Sequence, residues 1–301
     1  MIRVARPAMN TVFGISLPDE SGSAAKLAAD EAILEAERLE RSLSRFIARG
    51  DIGRINAAAG QSMVTVEPET FALLTEVVRL VAAVDGAFDP TVGPLMNLWR
   101  GRSEPPDESA LAAAQSLVGI AGLQLDADSC SAGLLCEGMV LDLGGVGKGY
   151  AVGRIADELR SLGVKDALVD GGTSSVLSLG THRAGIAEPG TPSEPFEWVT
   201  LADQAAAVSG VRGSGFSFQG RFYGHIVDPR SGWPSQGPRV AAVVCPSPVT
   251  AEVLSTALLV AGEPLLRELP QRFPTARAML VCDDCAKPLF SDDWPFATFT
   301  P

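Results

Sequence analysis

The sequence lacks several features that would place it in a special class. No apolar run approaches the roughly 18 residues that a membrane-spanning helix needs, so we expect no membrane span. Basic residues number 24 against 36 acidic ones, and the net charge of −12 argues against non-specific binding to nucleic acid or to anionic membranes. An anionic ligand would therefore need a local cation, such as a lysine, a helix N-terminus or a metal ion.

Cysteine is scarce, and its pattern bears on cellular location. Five cysteines in 301 residues are an odd number, which fits reduced thiols better than a disulfide framework. Cys282 and Cys285 form a CxxC pair, but a zinc site needs a second pair, and Cys130 and Cys136 have the wrong spacing. The first 18 residues contain no continuous apolar block, so we expect no signal peptide and predict a cytoplasmic protein.

The chain is long enough to bury a large core, and its 46% hydrophobic and 20% charged residues are typical of a globular protein. Helical periodicity predicts helices over residues 23–44, 68–84 and 250–261, the last with Thr250 as N-cap. A strand broken at Pro7 is expected over residues 3–17. Further short strands are expected at residues 167–169, 184–187, 198–201, 206–208, 216–218, 221–225, 240–245 and 278–281. Helices and strands mix without strict alternation, which favours the α+β class, and no linker or repeat divides residues 1–301.

The most distinctive stretch is LDLGGVGKGY, residues 141–150. An apolar pair around Asp142 leads into glycines and then into helical periodicity, which predicts a strand, a glycine turn and a helix start. The glycines permit close backbone approach, and free N–H groups at the helix start, with Lys148, favour an anion. Neither the ATPase phosphate loop nor the dinucleotide fingerprint fits. The stretch alone leaves two readings open, a phosphate-bearing ligand or a tight turn without one.

Histidine is rarer still, with only His182 and His225. His182 lies in the turn-like GTHRAG, and we interpret it as a surface residue. His225 lies in YGHIVDPRSG at the end of a predicted strand. A neutral imidazole there can act as a general base, although a lone histidine is more often structural.

Four oxygen-bearing side chains are further candidates. Glu252 and Thr256 are four residues apart and share one helix face, where their oxygens suit a hard cation such as Mg²⁺. The alternative is a local hydrogen bond on an exposed face. Asp89 precedes a proline and is therefore expected to be extended. Its side chain could accept hydrogen bonds from a base or ribose, and the alternative is the commoner role of a turn or cap aspartate. The same structural alternative applies to Asp142.

Eight ordered stretches resemble the ApbE family, the FAD:protein FMN transferases. They are MNT at 9–11, SRF with IGRIN within 44–56, GAFDPTVGPLMNLW at 86–99, LDLGGVGKGYAV at 141–152, LVDGG at 168–172, AVSG at 207–210, HIVDPRSG at 225–232 and AEVLSTAL at 251–258. The resemblance extends over nearly the whole chain, and eight ordered stretches are far more specific than a single glycine motif. The resemblance implies one α+β domain of mixed sheets and helices with two intertwined halves, spanning residues 1–301.

The resemblance also implies an activity. It implies Mg²⁺-dependent transfer of FMN from FAD to a Thr or Ser hydroxyl of a flavin-acceptor protein, with release of AMP. The alternatives are an FAD pyrophosphatase and a non-catalytic flavin-binding protein of the same fold. Many members are exported lipoproteins, and the absence of an export signal here points to a cytoplasmic member.

The family motifs further imply roles for individual residues. The implied FAD contacts are Met9, Phe46, Ala87, Phe88, Asp89, Asp142, Lys148 and Val227. The implied metal ligands are the Gly145 carbonyl, Glu252 and Thr256, and His225 is the implied catalytic residue. This chain departs from the family pattern at Asn10, where the family has glycine, and at Glu252, where it has aspartate.

Overall fold

The computed structural model describes residues 1–189, 194–283 and 287–297. Helices and antiparallel sheets are mixed along the chain, which confirms the α+β class. Within these ranges no helix is both long enough and apolar enough to cross a bilayer. Cys285 of the CxxC pair lies outside the described residues. The assignment of all of residues 1–301 to one domain stays a prediction.

The elements follow one another in the order that their numbers give. The strands are β1 Ile2–Ala8, β2 Thr11–Leu17, β3 Val64–Thr65, β4 Leu123–Asp126, β5 Ser131–Leu134, β6 Ala167–Gly171, β7 Ser175–Leu179, β8 Thr181–Ile186, β9 Glu197–Ala202, β10 Ala205–Gly210, β11 Gly215–Phe218, β12 Arg221–Gly224, β13 Val240–Cys245, β14 Arg277–Val281 and β15 Leu289–Phe290. The α-helices are α1 Gly22–Ala32, α2 Leu34–Leu43, α3 Asp51–Ala57, α4 Pro68–Ala83, α5 Gly93–Trp99, α6 Glu108–Gln115, α7 Gly147–Ser161, α8 Pro248–Ala261 and α9 Glu263–Arg272.

The main sheet joins eight strands in the order β1-β2-β6-β7-β10-β13-β14-β15, with every neighbouring pair antiparallel. Every residue of β13 is buried. Its alternate side chains, such as Ala241 and Val243, belong to the same core as α7 and α8. The others, such as Val240 and Val244, pack with the β8–β9 hairpin. Both faces of the sheet are therefore covered, which explains the uninterrupted apolar run of β13.

The first two strands are joined by a tight turn at Met9 and Asn10. Their φ angles are +50° and +58°, and Ala8 pairs directly with Thr11. Two consecutive residues with positive φ are typical of the type I′ hairpin turn. The predicted break at Pro7 is wrong, because Pro7 lies inside β1, an edge strand where a missing N–H is tolerated. Asparagine is one of the few non-glycine residues that tolerates this backbone conformation, so Asn10 suits the second position of the turn.

The central stretch contains the predicted turn and helix but not the predicted strand. Helix α7 begins at Gly147. The Leu141 N–H donates to the Asn56 side chain (2.7 Å), and Asn56 donates back to the Leu141 carbonyl (2.9 Å). The Asp142 N–H donates to the Pro90 carbonyl (2.7 Å). A side chain and a loop thus satisfy backbone groups that a neighbouring strand would otherwise bind.

Three other local predictions need correction. The helix predicted over residues 23–44 is divided at Ile33 into α1 and α2. The N-cap of α8 is Ser247 rather than Thr250, because Pro248 takes the first helical position and the Ser247 Oγ accepts from the Thr250 N–H (3.2 Å). Strand β7 and helix α5 were not predicted, since two serines interrupt the apolar pattern of β7 and α5 opens with glycine and proline.

Helices α7 and α8 approach each other closely at Gly149. A Cβ atom at Gly149 would lie 2.6 Å from the Pro248 carbonyl oxygen and 2.9 Å from Cγ of Glu252. Such distances are too short for any real side chain, and the nearest neighbour is backbone that cannot move aside easily. Glycine therefore allows the first turn of α7 to lie against the Glu252 side chain.

We expect Gly149→Ala to destabilise the protein by about 1–3 kcal/mol, the usual range for overpacking a well-packed interior. Helix propensity alone favours alanine over glycine by about 0.5–1 kcal/mol and would therefore stabilise the variant. The sign of the change in unfolding free energy thus distinguishes overpacking from helix propensity. Urea unfolding followed by circular dichroism measures the change. Ser161→Ala, at the exposed end of the same helix, is the control and should shift stability by less than about 0.5 kcal/mol. A Gly149→Ala protein as stable as the wild type would contradict the close contact.

Candidate functional site

One cleft of about 530 Å³ gathers residues from both ends of the chain. Eleven of the twelve predicted site residues line it, and Phe46 is the exception. Those eleven are Met9, Ala87, Phe88, Asp89, Asp142, Gly145, Lys148, His225, Val227, Glu252 and Thr256. Hydroxyl-bearing residues that were not predicted also line the cleft, among them Thr173, Ser174, Ser209 and Ser255.

Phe46 lies outside the cleft, with 69% of its surface exposed. Its ring is flanked by the guanidinium groups of Arg45 and Arg100, at 4.7 and 5.0 Å from the ring centroid. Arg45 is almost fully buried and pairs with Asp142 (3.0 Å), and burial lowers its pKa although Asp142 opposes this shift. Because Asp142 lines the cleft, Arg45 connects Phe46 to its edge. A contact between Phe46 and a ligand stays a prediction.

The start of α7 presents unpaired donors to the cleft. Neither Lys148 nor Gly149 has a backbone acceptor for its N–H among the described residues. The Lys148 ammonium forms no salt bridge within the same ranges. Free N–H groups at a helix N-terminus and a nearby lysine make a site that favours an anion.

An unpaired carboxylate oxygen faces the same region. Glu252 is only 5% exposed, so the alternative of an exposed helix face does not apply to it. Its Oε1 accepts a hydrogen bond from Ser175, while Oε2 is buried with no hydrogen-bond partner in the described part of the chain. A buried carboxylate oxygen without a partner is unfavourable unless a cation or donor completes it.

The donor set around Glu252 fits a hard cation. The Gly145 carbonyl accepts no backbone hydrogen bond from the described residues, and Thr256 adds a hydroxyl in the same cleft. One carboxylate, one carbonyl and one hydroxyl are all oxygen ligands, which Mg²⁺ prefers. Within the described ranges no group of three or more His, Cys, Asp or Glu side chains is placed to hold a metal ion. A metal here would therefore need oxygens from a substrate, as is usual for Mg²⁺ in phosphate chemistry.

Thr256 is connected to two serines that sequence reasoning did not single out, the half-buried Ser209 and the buried Ser255. The Ser209 Oγ lies 2.9 Å from the Ser255 Oγ and 3.3 Å from the Thr256 Oγ1. The Ser255 hydroxyl donates to the Glu252 carbonyl (3.1 Å). Both serines occur in quoted motifs, AVSG and AEVLSTAL, which was the only available signal in the sequence.

His225 follows β12 directly and lines the cleft. Tyr223 anchors this strand by stacking on Trp99, with ring centroids 5.7 Å apart. Burial lowers the pKa of His225, the positive charge of Lys148 lowers it further, and a backbone hydrogen bond with Ser214 acts in the opposite direction. The Nδ1 atom of His225 is buried with no hydrogen-bond partner among the described residues. The imidazole is therefore mainly neutral at pH 7 and able to accept a proton.

His182 lies away from the cleft. Its Nδ1 is 3.0 Å from the Ser178 Oγ, and its Nε2 is 3.0 Å from Asp166. The ring is 23% exposed, so it is more buried than the predicted surface residue, but it does not line the cleft. The structure thus separates the two histidines as the sequence reasoning expected.

The Asp89 carboxylate accepts hydrogen bonds from neighbouring groups of the protein. Its Oδ1 accepts from the N–H and hydroxyl of Thr91 (2.8 and 2.7 Å), and its Oδ2 accepts from the Ile120 N–H (2.8 Å). Burial raises the pKa of Asp89, and these hydrogen bonds oppose the shift. Asp89 therefore acts as a turn aspartate that holds the neighbouring Phe88 ring against Gly145. A contact between Asp89 and a ligand stays a prediction.

Comparisons with known proteins agree with this arrangement. The model of the ApbE family matches residues 9–280. The FAD:protein FMN transferase of Vibrio cholerae is 29% identical over 275 residues, which cover 87% of this chain and 82% of that protein. The ApbE protein of Thermotoga maritima has a similar crystal structure, with a TM-score of 0.86, 25% identity and 97% of each chain covered.

A second solved structure, the apo form of the Pseudomonas stutzeri flavinyl transferase ApbE, is similar over 99% of this chain and 98% of that chain. Its TM-score is 0.83 and its sequence identity is 27%. The similarity therefore extends over the elements that form the cleft as well as over the motifs. Because the family model spans most of the sequence and the fold agrees over nearly all of it, this chain belongs to the ApbE family.

Proposed function

We propose that this protein is a Mg²⁺-dependent FAD:protein FMN transferase, which moves FMN from FAD to a Thr or Ser hydroxyl of an acceptor protein and releases AMP. The observation that carries the proposal is the composition of the cleft. A half-buried histidine, an unpaired lysine at a helix N-terminus and a carboxylate oxygen without a partner all line it. The name of the Vibrio cholerae relative supports the reaction class.

Glu252, Thr256 and the Gly145 carbonyl would hold the metal ion. When bound, Mg²⁺ neutralises negative charge on the pyrophosphate and on the departing phosphate. The unpaired Oε2 of Glu252 supports this assignment, because a buried carboxylate needs a positive partner. Lys148 and the free N–H groups of α7 bind the phosphates from the other side.

His225 takes the proton of the acceptor hydroxyl. The hydroxyl oxygen attacks the phosphorus on the FMN side of the pyrophosphate, and the bond from that phosphorus to the AMP phosphate breaks. The proton stays on His225 until solvent removes it, and AMP leaves with the electron pair of the broken bond. Proton transfer by a positioned base and neutralisation of phosphate charge are the two contributions that this chemistry needs.

The flavin-acceptor protein needs a binding surface next to the cleft. A neighbouring cavity of about 680 Å³ shares Thr173, Ser174 and Val208 with the cleft, and we assign the acceptor segment to this side. We place the protein in the cytoplasm, and the free thiols of Cys130, Cys136 and Cys245 support a reducing compartment.

We expect His225→Ala to lower turnover about 10²–10⁴-fold, the usual contribution of a general base, and to retain FAD binding. The assay combines FAD, Mg²⁺ and a flavin-acceptor protein, with AMP measured by chromatography and the FMN adduct by mass spectrometry. His182→Ala is the matched control and should keep wild-type turnover, because His182 lies outside the cleft.

The same assay separates the alternative activities. Release of AMP without an adduct identifies an FAD pyrophosphatase, and FAD binding without AMP release identifies a non-catalytic flavin-binding protein. Loss of activity in His182→Ala with activity retained in His225→Ala would reverse the assignment of the base.

The pH dependence should show an acidic limb below pH 6.5. The pKa of His225 is lowered from its usual value of 6.5, so the neutral base predominates above that pH and is lost as the pH falls through the lowered pKa. We therefore expect kcat/KM to reach half its maximum below pH 6.5 and to become level as the pH rises above that midpoint. The residual activity of His225→Ala should lack this limb. A wild-type midpoint above pH 6.5 would contradict the buried, neutral imidazole.

We expect Glu252→Gln to raise the Mg²⁺ concentration for half-maximal AMP release by about tenfold or more, because it removes the charged member of the oxygen donor set without changing its shape. A Mg²⁺ titration of the FAD cleavage rate measures the effect. Glu76→Gln, the same change on α4 outside the cleft, is the control. Superimposable titrations for Glu252→Gln and wild type would show that Glu252 is not a ligand.

A further inference from the structure

We infer that Ser209 and Ser255 are positioning residues that hold the Thr256 hydroxyl proton away from the cleft, so that the Thr256 lone pairs face the metal site. The inference rests on the proposed metal-dependent function and assigns a role to two side chains outside the donor set. It follows from counting protons along a chain of three hydroxyl groups.

The chain begins inside α8. The Ser255 side chain is 1% exposed, and its Oγ lies 3.1 Å from the Glu252 carbonyl oxygen. A carbonyl oxygen only accepts hydrogen bonds, so Ser255 donates its single proton there. In the 2.9 Å contact between Ser209 and Ser255, the donor must then be Ser209.

The same argument fixes the last contact. Ser209 has used its one proton on Ser255, so in its 3.3 Å contact with Thr256 it acts as acceptor and Thr256 is the donor. The Thr256 proton therefore points towards Ser209 on β10. The lone pairs of Thr256 Oγ1 that remain are available on the cleft side, where Thr256 is exposed to a ligand.

This orientation matters for cation binding. A hydroxyl group binds a cation through a lone pair, and a proton pointing at the ion would oppose binding electrostatically. The hydroxyl chain is held at its start by the Glu252 carbonyl of the α8 backbone and in its middle by Ser209, which belongs to the main sheet. The hydrogen-bond chain of the three hydroxyl groups also starts at the carbonyl of Glu252. The side chain of the same residue is the charged member of the proposed donor set, so Glu252 anchors both the hydroxyl chain and the metal site.

The test is the affinity for Mn²⁺, which shares the oxygen preference of Mg²⁺ and is measured through the electron paramagnetic resonance signal of the free ion. Titrations are made on the full chain, alone and with FAD. We expect Ser209→Ala to weaken Mn²⁺ binding about 10–100-fold, as is usual when a group that orients a metal ligand is removed. Ser255→Ala should also weaken it, because the freed Ser209 proton can then turn towards Thr256.

A double-mutant cycle distinguishes orientation from a general loss of stability. Thr256→Val removes the hydroxyl and keeps the shape of the side chain, and adding Ser209→Ala to it should weaken Mn²⁺ binding no further. Ser178→Ala removes the hydroxyl of another strand serine, which is fully buried and bonded away from the cleft, and this control should bind Mn²⁺ like wild type. Urea unfolding of each variant shows that it is folded.

The outcomes separate this inference from the proposed function. If Thr256→Val weakens binding but Ser209→Ala binds like Ser178→Ala, the positioning role is overturned and the metal site stands. Additive losses in the double variant would also overturn it, because Ser209 would then act independently of Thr256. If Thr256→Val binds Mn²⁺ as tightly as wild type, or wild type binds none, the metal assignment falls and the inference falls with it.

Discussion

The contact between α7 and α8 at Gly149 is the constraint on which the site depends. A single Cβ atom at this position would meet the backbone of Pro248 and the side chain of Glu252. Because glycine leaves that space empty, the N-terminus of α7 and the carboxylate of α8 lie in one cleft. The helix start with its free N–H groups and the unpaired carboxylate are thus held together by backbone packing, which side-chain rearrangement alone cannot undo.

Electrostatics explains how an acidic protein can take an anionic ligand. The chain carries a net charge of −12, yet Lys148 and the free N–H groups of α7 provide a local positive potential. The Glu252 carboxylate would repel a phosphate by itself, but its unpaired oxygen is suited to a cation that bridges the two. Burial lowers the pKa of His225 and Lys148 adds to that effect, so Lys148 contributes both to the local positive potential and to the neutral state of the imidazole.

The two parts of the site belong to different hydrophobic clusters. The main core, which includes Val152 and Leu254, supports α7, α8 and the glycine turn that precedes α7. His225 instead follows a strand held by a smaller aromatic cluster that contains Trp99 and Tyr223. The distance between His225 and the side chains of Glu252 and Thr256 therefore depends on how these clusters meet across the cleft, which no local sequence pattern describes.

Local chemistry was readable from the sequence where it depends on residue type. Periodicity and glycine placement predicted the helix start at residues 147–150, the all-apolar strand at 240–245 and the α+β class. The ordered motifs identified eleven of the residues that line the cleft. Tertiary structure decided what those residues contact. The Asn56 side chain forms the hydrogen bonds with Leu141 that a neighbouring strand would otherwise form. The Asp89 carboxylate accepts hydrogen bonds from Thr91 and Ile120. Phe46 lies outside the cleft. These outcomes depend on atoms that are distant in sequence, and hydrogen-bond partners across such distances are fixed only when the chain folds.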